Sequence, residues 1–379
     1  MAKTIVVRYG ELALKSEKVR RRFERRLMSN IELSLRGSKH RIRRERGRIF
    51  VDTGSTKVLN KLINVPGIVS VSVASKTDAA LDKISKAAVD IAKRTLGKGQ
   101  TFAVRTSRIG VHDFSSKKVN EVVGSAVLRA VRGSEVNLSH PDRTIFVEVR
   151  GSDAYVFAEK MAGVGGLPVG TQGKVIALIS HGIDGPIATY LMMKRGCTVF
   201  PIFFHDESYK RARDQAVAMA KKLADFYPKL ELRMVPFGEI LREFKKEPRE
   251  FMYVLCARAM LRIANVIAEQ VKAEAIAADE SLEHVAGQTL ANLMVIDDAS
   301  KLPVLRPLIG MDKMWIERIA RSIGTFSISI KSTAECFAIA QYPKTYANLG
   351  NVLEAESRID IATMIKLALA KSKVIRARR

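Results

Sequence analysis

The sequence predicts a multidomain chain, α+β in front and α/β behind, ending in a doubly wound parallel sheet. Three observations predict it. Residues 175–204, VIALISHGIDGPIATYLMMKRGCTVFPIFF, read apolar strand, short polar loop, helix, apolar strand, which is a βαβ unit. From residue 174 onward strands and helices keep alternating, as in a parallel sheet covered on both faces. The front of the chain instead shows strand, helix and then two strands in succession, the pattern of a small ferredoxin-like α+β module.

In chain order, 4–9 is a short strand. Residues 18–35 form an amphipathic helix, because Val19, Phe23, Leu27, Ile31 and Leu35 recur every four positions and Arg20, Arg21, Arg22, Arg25 and Arg26 lie mostly off that stripe. A basic strand-like segment follows over 40–52, and another strand over 68–74. A second module runs over about 58–163. It has a helix at 81–96, a strand at 101–106, a helix at 115–131 with Ser115 or Ser116 as N-cap, and a hairpin of 144–150 with 154–159 around Gly151-Ser152-Asp153. Gly163-Val164-Gly165-Gly166 opens no helix and reads as a boundary turn rather than a nucleotide loop. Behind it, strands are expected at 175–179, 199–204, 230–235 and 275–278. Helices are expected at 186–195, 209–226, 248–269 and 311–323, and the tail 359–379 reads as a basic helix.

The 379 residues are enough for two or three domains. No apolar run approaches the roughly 20 residues of a membrane span, and the charged start MAKTIVVRYGELALK lacks a signal-peptide pattern. A cytoplasmic protein without a membrane partner is expected. Cys197, Cys256 and Cys336 are too few and too scattered for a disulfide framework, and none pairs with zinc-ligand spacing. Lys and Arg number 64 against 39 Asp and Glu, a net charge of +25. Residues 1–60 alone hold 17 basic and 6 acidic residues. One-signed charge this dense repels itself and points to a polyanionic partner. Aromatics are only 6 %, which disfavours stacking on single strands and favours a folded RNA read by phosphate and shape.

The loop Ser180-His181-Gly182-Ile183-Asp184-Gly185-Pro186 lies between strand and helix, where doubly wound sheets bind phosphates. It resembles the pyrophosphatase loop (PP-loop), SGGxDS, of enzymes that adenylate a substrate with ATP. His181 replaces its first Gly and Gly185 its final Ser. Further matches are spread in order along the chain: VRYGELALKS, FAVRTSRIGVHDFSSKKVN, the LMMKRG helix, ESL..VAGQTLANL, RPLIGMDKMWIERIARSIGT, and Cys336 before Tyr342-Pro343-Lys344-Thr345. Together they resemble the tRNA 4-thiouridine synthetase (tRNA sulfurtransferase) family, in its short form without a rhodanese domain.

That resemblance implies a ferredoxin-like domain over 1–57, a THUMP tRNA-binding domain over 58–163 and a PP-loop catalytic domain over 172–379. It implies ATP and Mg²⁺, with tRNA as partner, a sulfur donor protein or sulfide as source, and a homodimer. The implied reaction adenylates O4 of uridine 8 and then replaces AMP by sulfur. Carried over residue by residue, Ser180, Gly182 and Asp184 belong to the phosphate loop, with Asp184 also the metal residue. Leu178, Ile179, Phe203, Phe204, Arg258 and Gln288 are nucleotide contacts. Cys336 handles sulfur. Cys256 fits the second position of a CxxC pair that binds an iron–sulfur cluster with Cys336 in archaeal-type members. Tyr253 fills the first position, which argues against a working cluster. The family's TGES reads Ala278-Asp279-Glu280-Ser281, and its GQVASQT reads as residues 283–289, EHVAGQT. Asp279 stands where a Gly lets backbone approach the nucleotide. The rival to an active enzyme is a non-catalytic tRNA-binding member with a degenerate PP-loop. A sulfur-carrier role in thiamine synthesis has less support.

Overall fold

The computed structural model describes residues 3–45, 47–180, 182–206, 210–282, 287–331 and 344–377. The chain divides into two compact units, residues 1–24 with 31–165, and residues 25–30 with 166–379.

The first unit is built on a nine-stranded sheet among the described residues. Strands β1 (Lys3–Tyr9), β2 (His40–Glu45), β3 (Arg48–Thr53), β4 (Ile68–Asp78), β5 (Thr101–Ile109), β6 (Glu135–Val136), β7 (Arg143–Arg150) and β8 (Asp153–Phe157) follow the order β2-β3-β1-β4-β8-β7-β5-β6, and β9 (Met161–Ala162) pairs with β4. Helix α1 (Glu17–Ser34) buries Phe23, Leu27 and Ile31, with Leu35 buried just beyond its end, as the four-residue stripe requires. The single strand expected over 40–52 is instead a hairpin of β2 and β3. Gly47, at φ +77°, makes the reversal that closes the Glu45–Arg48 pair. β4 is longer than its apolar stretch. Its first half pairs with β1, Thr4 opposite Ala74, and its polar second half with β8, Ser75 opposite Val156. One strand therefore carries both front modules. Between them lies α2 (Leu59–Leu62). Helices α3 (Leu81–Thr95) and α4 (Ser116–Ala130) cover the β5–β7–β8 face, burying Ile84, Val119 and Val123 against Phe102 and Ile145. Ser115 caps α4 by accepting from the Lys118 N–H at 3.0 Å.

The second unit has a six-stranded sheet of β10 (Lys174–Leu178), β11 (Thr198–His205), β12 (Glu231–Pro236), β13 (Ala275–Ala277), β14 (Val304–Leu305) and β15 (Lys373–Arg376), in the order β14-β13-β10-β11-β12-β15. All neighbours are parallel except β15, which runs antiparallel to β12. The tail read as one helix thus splits into α13 (Ile361–Ala370) and this edge strand. The remaining helices are α5 (Asp184–Lys194), α6 (Lys210–Leu223), α7 (Gly238–Phe244), α8 (Met252–Val271), α9 (Leu290–Asp297), α10 (Lys313–Ile323), α11 (Phe326–Ser329) and α12 (Leu349–Ser357). Residues Arg249–Val271 are long and apolar enough to cross a membrane by length and composition, contrary to the reading of the bare sequence, yet 72 % of that window is buried inside the protein. Val254, Leu255, Ala259 and Ile263 form the centre of the unit's core. The turn reading of 163–166 agrees with the structure: Gly166 sits at φ +77° and opens no helix.

Candidate active site

β10 is flanked by β11 on one side and β13 on the other. The chain builds outward through β11 and β12, then crosses back to lay β13 and β14 on the opposite side. Strand order therefore reverses at β10, and the crevice at the carboxyl ends of β10 and β13 is the topological switch point where such sheets take ligands. Two loops meet there, residues 179–183 after β10 and 278–281 after β13. Register places Ala177 beside Ala277, so the loops leave the sheet side by side. Ile179 is still tied to the sheet, its N–H donating to the Ile202 carbonyl at 2.9 Å.

Helix α5 starts at Asp184 behind Ile183. The Ile183 side chain has no oxygen to offer the first-turn N–H groups, so the helix start lacks a side-chain cap. Pro186 lies in the first turn, where a missing N–H removes no helical bond. An uncapped helix N-terminus beside a serine hydroxyl fits a phosphate, and the Asp184 carboxylate is the hard oxygen ligand that Mg²⁺ takes. Among the described residues no group of three or more His, Cys, Asp or Glu is placed to hold a metal.

A second acidic group enters the same place. The Ser180 hydroxyl donates to Asp279 Oδ2 at 3.0 Å. Gly185 faces the same oxygen: a Cβ on it would lie 3.1 Å from Asp279 Oδ2 and 2.5 Å from the Ser180 backbone nitrogen. Burial first, then the Glu280 and Asp184 carboxylates, push the Asp279 carboxyl up to about 7, against the pull of the Ser180 hydrogen bond. Glu280 is also raised, chiefly by burial, and Arg306 opposes that at 3.3 Å. Arg306 in turn holds Asp297 through two hydrogen bonds of 2.9 and 2.6 Å.

Of the residues expected at the site, Ser180, Gly182, Asp184 and Ile179 lie on the loop or the start of α5. Gly182 has no positive φ, and among the described residues a Cβ there would meet Ser180 Oγ, at 3.4 Å. Gln288 is buried and accepts from the Ser281 N–H at 3.3 Å, which ties it to the 278–281 loop. Leu178 is half-buried in the core, and Phe203 and Phe204 are buried at the end of β11, with Phe204 edge-on to Phe237 at 5.5 Å. Arg258 is 1 % exposed and turns its guanidinium to Glu356, Asp298 and the Val295 carbonyl. None of those bonds reaches the loop. Cys256 is buried, its Sγ 3.8 Å from Met252 Sδ. His181, Cys336 and residues 283–286 lie outside the described residues. Tyr253, which fills the first position of the CxxC pair, also borders the cleft. Burial, then Glu280 and Asp279, push its phenol well above the ordinary value, opposed by a hydrogen bond with Gln288. Glu280 and Arg306 lie inside the motifs ADES and RPLIG, but no spacing in the sequence signals that the two pair.

In the first unit, four cations gather about one buried carboxylate. Glu148 accepts from Arg8 Nε and Nη2 at 3.1 and 2.9 Å and from Arg48 Nε at 3.0 Å, with Arg150 at 3.6 Å. Lys160 stands 3.8 Å over the Phe146 ring, and burial first, then Arg8, holds its amine below the ordinary value. A cavity of about 810 Å³ opens in the same unit, with Lys3, Lys76 and Arg94 among its walls. On the part of α1 that belongs to this unit, Lys18, Arg21 and Arg22 are exposed. Excess positive charge on this unit suits a polyanion.

Comparison with known proteins follows the same division. A family model described as "Thiamine biosynthesis protein (ThiI)" matches residues 170–361, the ThiI ferredoxin-like domain matches 4–72, and the THUMP domain matches 78–159. A probable tRNA sulfurtransferase of Methanosarcina mazei is 38 % identical over 98 % of this chain and 95 % of its own. One from Thermoanaerobacter sp. strain X514 is 39 % identical over 95 % and 96 %. Among solved structures, a 4-thiouridine synthetase–RNA complex with bound ATP superposes with TM-score 0.90 at 30 % identity, covering 99 % of both chains. PH1313 from Pyrococcus horikoshii superposes with TM-score 0.67 at 25 % identity, over 85 % of this chain and 99 % of that one.

Proposed function

The chain belongs to the ThiI family of tRNA sulfurtransferases, and from that premise we propose that it is an ATP-dependent enzyme that converts uridine 8 of tRNA to 4-thiouridine. The observation that carries this reading is the position of Ser180 and Asp184 at the switch point, beside a helix start that its N-cap residue, Ile183, leaves without a side-chain cap. The first unit, with its ferredoxin-like (1–57) and THUMP (58–163) segments, holds tRNA through phosphate contacts. The 172–379 segment carries out the chemistry. O4 of the uridine attacks the α-phosphorus of ATP, a P–O bond forms, and pyrophosphate departs. A sulfur nucleophile then adds at C4, and the C4–O bond breaks to release AMP.

The Ser180 hydroxyl and the first-turn N–H groups of α5 receive the phosphates. Asp184 would hold a magnesium ion, which would supply charge neutralisation for the leaving pyrophosphate. Leu178, Ile179, Phe203 and Phe204 wall the adenine side, and Gln288 fixes the 278–281 loop. Either sulfide itself attacks C4, or Cys336 takes a persulfide sulfur from a donor protein, and as that sulfur is left on C4 the Cys256 thiolate attacks the Cys336 sulfur to form a Cys336–Cys256 disulfide. Because Tyr253 offers a phenol where a cluster would need a thiolate, the protein works without an iron–sulfur cluster. Its substrate places it in the cytoplasm.

A second reading, a tRNA-binding member without turnover, draws on the Asp279 carboxyl that already occupies the Ser180 hydroxyl. Exchange of labelled pyrophosphate into ATP, with and without tRNA, separates the two. Exchange that requires tRNA supports the enzyme, and tRNA binding without exchange supports the binder.

A further inference from the structure

We infer that Asp279 and Gly185 form a coupled pair in which the Asp279 carboxyl group fills the phosphate position of the loop from within the chain, so that nucleotide must displace it. This rests on the nucleotide reading of the same cleft. It goes beyond that reading in naming two residues of this chain as what sets nucleotide affinity there.

The geometry has three parts. First, Asp279 Oδ2 takes the Ser180 hydroxyl at 3.0 Å, the donor a phosphate oxygen would take. Second, the same oxygen lies over Gly185 in the first turn of α5, since a Cβ built there would stand 3.1 Å from it. A carboxyl oxygen at a helix N-terminus, holding a hydroxyl donor, takes the place that an anion's oxygen would take. Whether protonated or ionised, the group fills the same volume. Third, the loop is drawn tight onto the helix. The Ser180 backbone nitrogen would be 2.5 Å from a Cβ at 185 and the Ile179 Cα 3.1 Å. Backbone cannot yield as the tip of a flexible side chain can. A side chain at 185 is admitted only if the Ser180 backbone gives way, and it also presses on the Asp279 oxygen that holds the Ser180 hydroxyl. A larger residue at 185 and the Ser180–Asp279 bond therefore compete for the same space. Gly185 and Asp279 each look like damage to a nucleotide loop when read singly; together each makes room for the other.

The test is a cycle of four full-length proteins: wild type, Asp279→Gly, Gly185→Ser and the double variant. Calorimetric titration with ATP·Mg²⁺ and thermal unfolding without nucleotide are measured on each, with tRNA binding as a check of the first unit. Removing the internal competitor is expected to raise ATP affinity in Asp279→Gly by about tenfold or more, the value of a hydrogen bond to a charged group. Gly185→Ser alone is expected to lower the unfolding temperature, and the drop is expected to be clearly smaller in the Asp279→Gly background. Gly185→Ala serves in its place should the serine variant fail to fold. Unchanged ATP affinity in Asp279→Gly, or strictly additive temperature shifts, overturns the inference. Weaker binding that excess Mg²⁺ restores also overturns it, by making Asp279 a metal ligand. If wild type and Asp279→Gly bind ATP equally well, only the inference falls. If neither binds ATP while both bind tRNA, the nucleotide reading falls with it.

Discussion

Glu356 grips Arg258 by a fork of two bonds, 2.9 Å to Nε and 3.1 Å to Nη2, at a depth where both side chains are almost wholly buried. The pair ties α12 to the centre of α8. Arg262, one turn further along α8, bonds the same carboxylate at 2.6 and 2.7 Å. Burial raises the Glu356 carboxyl, but the Arg262 and Arg258 hydrogen bonds hold it below the usual range. An apolar helix long enough to span a membrane is in this way fastened into a protein core by its two arginines.

Replacing Glu356 by Gln removes the buried counter-charge of Arg258 and leaves it only the half-exposed Asp298 at 3.0 Å. The expected loss is about 3 kcal/mol or more of folding stability, read from urea unfolding. A loss within about 0.5 kcal/mol, typical of a surface substitution, contradicts the core role assigned to this pair.

Glu148 gives a pH signature to the first unit. Burial raises its carboxyl, yet Arg48 and Arg8 together bring it below the ordinary 4.5. A depressed carboxyl contributes stability that is present above the unfolded value and lost as pH falls through the folded one. Wild type is therefore expected to exceed Glu148→Gln in stability by about 3 kcal/mol at pH 7, and the gap is expected to close below pH 4.5. A gap that stays constant down to pH 3 denies the pairing its energetic role.

Binding of tRNA is expected to weaken steeply with salt. Arg22 and Arg25 are exposed on α1, so changing both to Ala is expected to flatten the plot of log affinity against log salt by about 2 units. An unchanged slope removes this helix from the RNA contact.

Gly166 makes the boundary turn legible in energy. It has φ +77°, and a Cβ there would fall 2.1 Å from the Lys194 carbonyl oxygen. Gly166→Ala is expected to lower stability by about 2 kcal/mol, measured by thermal unfolding. A neutral result removes the close backbone approach from the account.

Much of this molecule could be read from its residues. The stripe on α1, the cap at Ser115, the βαβ unit and the loop at the switch point all follow from local spacing. Misreadings arose where the deciding partner is distant in sequence. Nothing near Lys373–Arg376 says that it will pair with β12, more than 130 residues earlier, Glu231 opposite Arg376. A buried Arg that contacts nucleotide and one that holds a core helix look alike until Glu356 arrives from 98 positions away. The hairpin at Gly47 was hidden because basic residues on both arms made one continuous run. At the site, Asp279 read as an isolated obstacle. Its relation to Gly185 appears only when the loops after β10 and β13 lie side by side.

The central claim is tested most directly by incubating the full-length protein with unmodified tRNA, ATP·Mg²⁺ and a sulfide or persulfide donor, then measuring thionucleosides in the digested tRNA together with AMP released. The account predicts 4-thiouridine confined to position 8, with one AMP released for each one formed. Tightly bound tRNA that gains no thionucleoside while no AMP appears would contradict it.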